Sequence, residues 1–246
     1  MSFWDHLEEL RGSLFRSVLA VFLLSIPGLA ARGLLFDGIV LYPTRPDFFV
    51  YRWIGLDMNV DLINIEVTAQ FFIHLKLSIA LGLVLAFPYL VWQIWRFVAP
   101  ALYPNEKSAV GKAFLLASGL FYLGVMVGYC IILPVCLNFF MGYSISDVVT
   151  NTISLNSYIS LFISMVLLIG IVFEFPTVIL ALSSLGIIGR STLRKYRKHA
   201  FVAILILSAL ITPSDPVSMF VLAAPLYLLY EGSIMLCRKD PIDNKL

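Results

Sequence analysis

Long apolar runs that carry almost no charge constrain this chain more than any other feature of its sequence. Between Tyr158 and Leu182, for example, the only Asp, Glu, Lys or Arg is Glu174. Runs of about 17–25 such residues are long enough to cross a bilayer as a helix. Only 13% of the 246 residues are charged and the mean hydropathy is +0.94, which leaves too little charge to cover a soluble surface. The sequence therefore predicts an integral membrane protein, and it argues against a soluble enzyme, a disordered chain and a nucleic-acid-binding domain.

The apolar runs predict six transmembrane helices. The last apolar stretch is divided in two between Thr212 and Pro216, because two prolines and an aspartate in this short segment favour a turn. The predicted fold is all-α, a single polytopic membrane domain over residues 1–246, with spans five and six short for a bilayer of about 30 Å. Prolines in or near five spans kink helices, so we expect a concave, kinked arrangement. The expected spans are residues 14–31, 69–92, 113–136, 158–182, 200–212 and 217–236, and the prolines are Pro27, Pro88, Pro134, Pro176 and Pro225.

The distribution of basic residues predicts the orientation of these helices. Loops rich in Lys and Arg stay in the cytoplasm. Thirteen of the 17 basic residues fall in segments on one side, against Arg32, Arg45 and Arg52 on the other. Both termini are therefore predicted to be cytoplasmic, and the first span is expected to be retained and not cleaved as a signal. The thirteen are Arg11, Arg16, Arg96, Lys107, Lys112, Arg190, Arg194, Lys195, Arg197, Lys198, Arg238, Lys239 and Lys245.

The first predicted outer loop, from Arg32 to Thr68, is rich in acidic and aromatic residues. Aromatic side chains in such a loop are typical of the boundary between membrane and water. We expect Phe48, Phe49, Tyr51 and Trp53 to lie at that boundary.

Glu174 is a carboxylate well inside the fourth predicted span, in the segment Phe173-Glu-Phe-Pro176. It lies about 24 Å from the outer end of this span at 1.5 Å per residue, in the inner half of the bilayer. An ionised carboxylate at such depth costs about 2.5–3.5 kcal/mol on insertion scales, so we expect Glu174 to face a water-filled cavity, pair with a cation or be protonated. Pro176 loosens the local helix and favours a groove there. A glutamate that only hydrogen-bonds between helices is the alternative.

A polar cluster, His6-Leu-Glu-Glu-Leu-Arg11, precedes the first span. Glu8 and Arg11 form an i,i+3 pair in helical geometry, and the leucines share a face. The pattern predicts an amphipathic helix that lies on the membrane.

A second cluster, from Trp95 to Lys107, connects the second and third spans. Pro100 and Pro104 favour a rigid, nonhelical loop around Phe97 and Glu106. An acidic and aromatic patch on an otherwise basic face is suited to binding a cationic peptide.

Motifs for catalysis and metal binding are absent from the sequence. No HExxH, GxSxG or glycine-rich phosphate loop occurs, and the histidines are scattered. The three cysteines have neither metal-ligand spacing nor the even number of a disulfide framework. We therefore expect no enzyme, no catalytic residue, no metal and no cofactor. A small secondary transporter that uses Glu174 as its proton or ion site is the alternative to a peptide-binding protein, and a structural scaffold is a third.

Five segments, in order along the chain, resemble the TatC family, the multispanning core of the twin-arginine protein translocase. The resemblance covers nearly the whole chain and fits the six predicted spans. The segments are His6-Leu-Glu-Glu-Leu-Arg11, Phe97-Val-Ala-Pro-Ala-Leu-Tyr-Pro-Asn-Glu106, Phe173-Glu-Phe-Pro176, Leu210-Ile-Thr-Pro-Ser-Asp215 and Ala223-Ala-Pro-Leu-Tyr227.

The resemblance implies a receptor role in protein export across the bacterial cytoplasmic (inner) membrane. Such proteins bind the twin-arginine signal peptides of folded cargo at their cytoplasmic face. They recruit single-span partners of the TatA and TatB type, form an oligomer within a receptor complex, and depend on the proton-motive force for transport. Membrane lipid is the other expected partner, and nucleic acid is not expected.

The resemblance also implies two groups of site residues. The signal-peptide group is Glu9, Arg11, Phe97, Tyr103 and Glu106. The group that lines an intramembrane groove and contacts partners is Glu174, Pro176 and Asp215.

Two positions depart from the family pattern. Ser13 stands where relatives often carry a basic residue, and Met219 stands where some carry a polar one. We expect Arg16 to supply the charge that is missing at Ser13.

Overall fold

Nearly all of the described chain is helical. The computed structural model describes residues 3–55, 60–101, 104–143, 146, 152–212 and 216–237. Outside the helices, the described residues contain one pair of two-residue strands. A helix satisfies its backbone N–H and C=O groups internally, which a bilayer requires because lipid tails offer no hydrogen bonds. The all-α prediction is confirmed.

The long helices follow the apolar runs, and most of the prolines lie within them. α1 and α3 run without a break through Pro27 and Pro88. Residues 104–142 and 155–172 are also continuously helical, because π-helical turns, Gly128–Ile132 and Ser164–Leu168, join their parts. The helices are α1 (Phe3–Ala30), α2 (Phe49–Ile54), α3 (Ala69–Val98), α4 (Pro104–Val127), α5 (Leu133–Gly142), α6 (Leu155–Ile163), α7 (Ile169–Val172), α8 (Phe175–Ser184), α9 (Arg190–Lys195), α10 (Arg197–Ile211) and α11 (Pro216–Leu236).

Five segments of the described chain are long and apolar enough to cross a membrane. α10, the counterpart of the predicted fifth span, has 15 residues, about 22 Å at 1.5 Å per residue. The prediction that spans five and six are both short is right for α10 and wrong for α11. α11 has 21 residues, about 31 Å at 1.5 Å per residue, which is enough to cross a bilayer of about 30 Å. The five segments are Leu7–Ala30, Ala69–Val98, Ala113–Gly142, Leu155–Ser184 and Ser218–Leu236.

The chain divides into two compact units. The first comprises residues 1–18, 87–124 and 170–246. It contains both polar clusters that the sequence assigns to the cytoplasm, together with Glu174. The second unit comprises residues 19–86 and 125–169 and contains the predicted outer loops.

Three tyrosine hydroxyls hold the first outer loop in the second unit. The loop folds into a π-helical turn (Leu34–Val40), a 3-10 turn (Tyr42–Thr44) and α2. Burial raises the pKa of Tyr51 to about 12, so its hydroxyl remains a donor at neutral pH. The loop carbonyls thus find partners without a regular ladder. The hydrogen bonds run from Tyr51 to the Pro43 carbonyl, from Tyr129 to the Ile39 carbonyl at 2.9 Å, and from Tyr158 to the Val40 carbonyl.

The aromatic residues of this loop have two different environments. Phe48 and Tyr51 are buried, whereas Phe49 is 49% exposed and Trp53 is 91% exposed. Phe48 and Tyr51 therefore face the protein interior, whereas Phe49 and Trp53 face outwards. The Phe48 ring packs edge-on against Tyr129 at 5.6 Å and fills the space beneath the loop.

Close contacts join the remaining parts of the second unit. β1 (Leu62–Ile63) and β2 (Ile153–Ser154) pair in parallel, which connects the first predicted outer loop to the segment before α6. A Cβ at Gly128 would overlap the carbonyl oxygen of Met165. Glycine is therefore required where the two π-helical turns meet.

Replacing Tyr158 with phenylalanine should destabilise the protein by about 1–3 kcal/mol, because the buried Val40 carbonyl would lose its partner. Thermal unfolding of the purified protein in detergent measures this change. Tyr42→Phe is the matched control, since the Tyr42 hydroxyl donates to the Asp47 carbonyl at an exposed site, at 3.3 Å. Equal losses for the two variants would show that the Tyr158 hydroxyl has no special role.

Candidate functional site

The predicted N-terminal cluster lies on the first turns of α1. Glu9 is partly buried and Arg11 is exposed. Glu9 makes no ion pair or hydrogen bond with another described residue. The expected pair between Glu8 and Arg11 is not formed, because both side chains extend into solvent. The Glu9 carboxylate is therefore available to a cationic partner.

Arg16 lies beside Ser13, the position where we expect it to supply a positive charge. Its Nη2 donates a hydrogen bond of 3.1 Å to Oγ of Ser13, one turn earlier on α1. Ser13 is 7% exposed, and the Nε of Arg16 has no hydrogen-bond partner among the described residues. A basic group thus stands beside the position that carries serine.

The connection between α3 and α4 differs from the predicted nonhelical loop. Phe97 lies in the last turn of α3, and Glu106 lies in the first turn of α4. Pro104 begins α4, where its missing N–H and fixed φ cost nothing. Ala99–Ala101 form a 3-10 turn between the helices. Tyr103 and the side chain of Glu106 lie outside the described residues.

Aromatic packing joins the facing ends of α3 and α4. The Trp95 and Phe114 rings lie 5.3 Å apart between centroids. A Cβ at Gly111 would come within 3.2 Å of the Trp95 ring, so a small residue is needed there. Arg96 lies over Trp92 at 5.8 Å from the ring centre. The helix ends that carry Phe97 and Glu106 are thereby held together.

The rod from α6 to α8 is interrupted at Glu174. α7 ends at Val172 and α8 begins at Phe175, with Glu174 as the residue before the helix. Pro176 cannot donate a backbone hydrogen bond, which breaks the ladder at this point. Phe173 packs on α4, where a Cβ at Gly124 would lie 2.7 Å from the Phe173 Cβ. Glycine at 124 allows the interrupted segment to approach α4 closely.

The Glu174 carboxyl is short of partners. Its Oε1 is buried and has no hydrogen-bond partner among the described residues, and the same holds for Oγ1 of Thr177. The Thr177 hydroxyl and the backbone of Phe121 lie near this carboxyl, but neither forms a hydrogen bond with Oε1. Glu174 forms no salt bridge within the described chain. A further donor, from water, a proton or another chain, would satisfy Oε1.

Several predicted site residues belong to the same compact unit, and others lie outside the described residues. Glu9, Phe97 and Glu174 belong to the first unit, with Pro176 buried directly after the helix break. Asp215 lies outside the described residues. Sequence reasoning missed Thr177 and Gly124; the spacing of Thr177, one helical turn after Glu174, was the available signal.

A second polar network at the ends of α10 and α11 was also missed by sequence reasoning. Arg197 pairs with Glu231 at 2.7 Å, and the Tyr227 hydroxyl donates to Glu231 at 3.1 Å. The Tyr230 hydroxyl donates to the Leu193 carbonyl at 2.7 Å. These contacts fix the basic segment α9–α10 against α11.

No group of His, Cys, Asp or Glu suited to a metal ion occurs among the described residues, and all three cysteines are free. The carboxylates of Glu9 and Glu174 instead have acceptor positions that no described residue fills. Their chemistry suits binding of cationic groups more than bond cleavage.

Comparisons with known proteins agree with this arrangement. The family model described as "Sec-independent protein translocase protein (TatC)" matches residues 5–225. The TatC protein of Blattabacterium sp. subsp. Periplaneta americana (strain BPLAN) is 35% identical over an alignment 249 residues long. This alignment covers 95% of this chain and 94% of the relative. The TatC protein of Aquifex aeolicus (strain VF5) is 35% identical over 239 residues, covering 96% and 94%.

A solved structure has the same fold. The crystal structure of the twin-arginine translocase receptor TatC in DDM superposes with a TM-score of 0.79 at 34% identity, and the match covers 95% of this chain and 99% of that one. Together with the family model and the relatives, this similarity extends over both compact units. The chain therefore belongs to the Sec-independent protein translocase TatC family.

Proposed function

We propose that this chain is the receptor subunit of the twin-arginine translocase and binds twin-arginine signal peptides through Glu9 and Glu106. As a TatC family member it is a non-enzymatic protein-transport component of the bacterial inner membrane. The observation that carries the proposal is the partly buried Glu9 carboxylate, which pairs with no described residue. The site is proposed to include Arg11, Phe97 and Tyr103.

Two adjacent arginines match a pair of carboxylates in charge and in geometry. Each guanidinium presents five N–H donors in a planar fork, and a carboxylate accepts two of them side by side. Lysine offers a point charge without that fork. A single exposed ion pair contributes about 0–1 kcal/mol, so useful affinity needs two carboxylates that are partly sheltered by neighbouring side chains. The aromatic helix ends around Trp95 support such shelter.

The same proposal extends to the membrane arrangement. We infer that α10 forms a sixth span in a single membrane domain, with both termini in the cytoplasm. At about 22 Å it is short for a bilayer of about 30 Å, which local thinning accommodates. The concentration of basic residues in α9 and α10 supports a cytoplasmic position for that segment.

Glu174 is proposed to contact a partner helix of the TatA or TatB type, in a groove that Pro176 and Asp215 also line. The unpartnered Oε1 supports this role, because a buried acceptor gains stability when another chain donates to it. Export by the assembled oligomer is proposed to draw on the proton-motive force. Family membership favours this protein translocase over a transporter of small solutes.

Replacing Glu106 with alanine should weaken binding of a twin-arginine peptide at least ten-fold, which corresponds to about 1.4 kcal/mol. Glu9→Ala should act in the same direction, since both carboxylates are proposed to hold the arginine pair. Fluorescence titration of detergent-solubilised protein measures the affinity. Glu8→Ala is the matched control, because Glu8 is an exposed neighbour on the same helix.

A twin-lysine peptide separates specific binding from general attraction. The loss for Glu106→Ala should be much smaller with this peptide, since lysine never makes the forked contact. Equal losses for the two peptides would mean that Glu106 supplies only negative charge, and unchanged binding of both would remove it from the site.

Glu174→Gln should preserve the fold and weaken crosslinking to a single-span partner from a photoreactive residue at Val178, which is 53% exposed one turn away. Glu174→Leu should also impair cargo export, because it removes the acceptor entirely. Glu66→Gln, at an exposed position in the outer loop, is the control. Undiminished export by the Leu variant would leave Glu174 with a structural role alone.

Cysteines introduced at Asn64 and Ser191, with the native cysteines replaced, test the orientation. An impermeant thiol reagent added to intact cells should label Asn64→Cys and spare Ser191→Cys. Both positions lie on the exposed surface. Labelling of Ser191→Cys in intact cells would contradict the proposed topology.

A further inference from the structure

We draw no further inference here: the strongest candidate, the apolar groove between the start of α8, α10 and α11 in the first unit, is an open face, and nothing in the described part of the structure shows what covers it.

Discussion

The need to pair every backbone polar group inside a bilayer governs this structure. Regular helices meet that need along the apolar runs, and side chains meet it where the helical ladder stops. In the first predicted outer loop, backbone carbonyls accept hydrogen bonds from the hydroxyls of Tyr51, Tyr129 and Tyr158. At the break before α8, where Pro176 has no N–H, Phe173 packs closely on Gly124. Side-chain hydrogen bonds and close packing are therefore found where the regular ladder stops.

The residues that we propose for function are ones whose side chains lack a partner among the described residues. Oε1 of Glu174 and Oγ1 of Thr177 lie beside the break, buried and without a described partner. The carboxylate of Glu9, at the start of α1, forms no ion pair or hydrogen bond with a described residue. By contrast, the carboxylate of Glu231 is fully engaged by Arg197 and Tyr227, and its role is to hold α10 against α11. The fold therefore supplies a partner for the carboxylate of Glu231 and leaves those of Glu9 and Glu174 available to the partners that we propose.

Much of the fold could be predicted from the pattern of apolar and charged residues along the chain. Hydropathy predicted the helical class and the positions of the long helices. Other features depended on residues that are neighbours in space and not in sequence. Phe48 and Tyr51 are buried because Tyr129 and the loop carbonyls surround them. The α3–α4 connection is more helical than its prolines suggested, since Pro104 begins a helix instead of preventing one.

The sequence by itself determined that the chain is a helical membrane protein, because apolar runs of this length have no other stable arrangement in lipid. It also determined the family, through five short motifs in a fixed order, and identified Glu174 as an exceptional residue. The tertiary structure alone decided which of the polar groups remain unpaired and how closely Phe173 approaches Gly124. These features depend on distances between helices, which side-chain packing sets and a linear pattern does not contain.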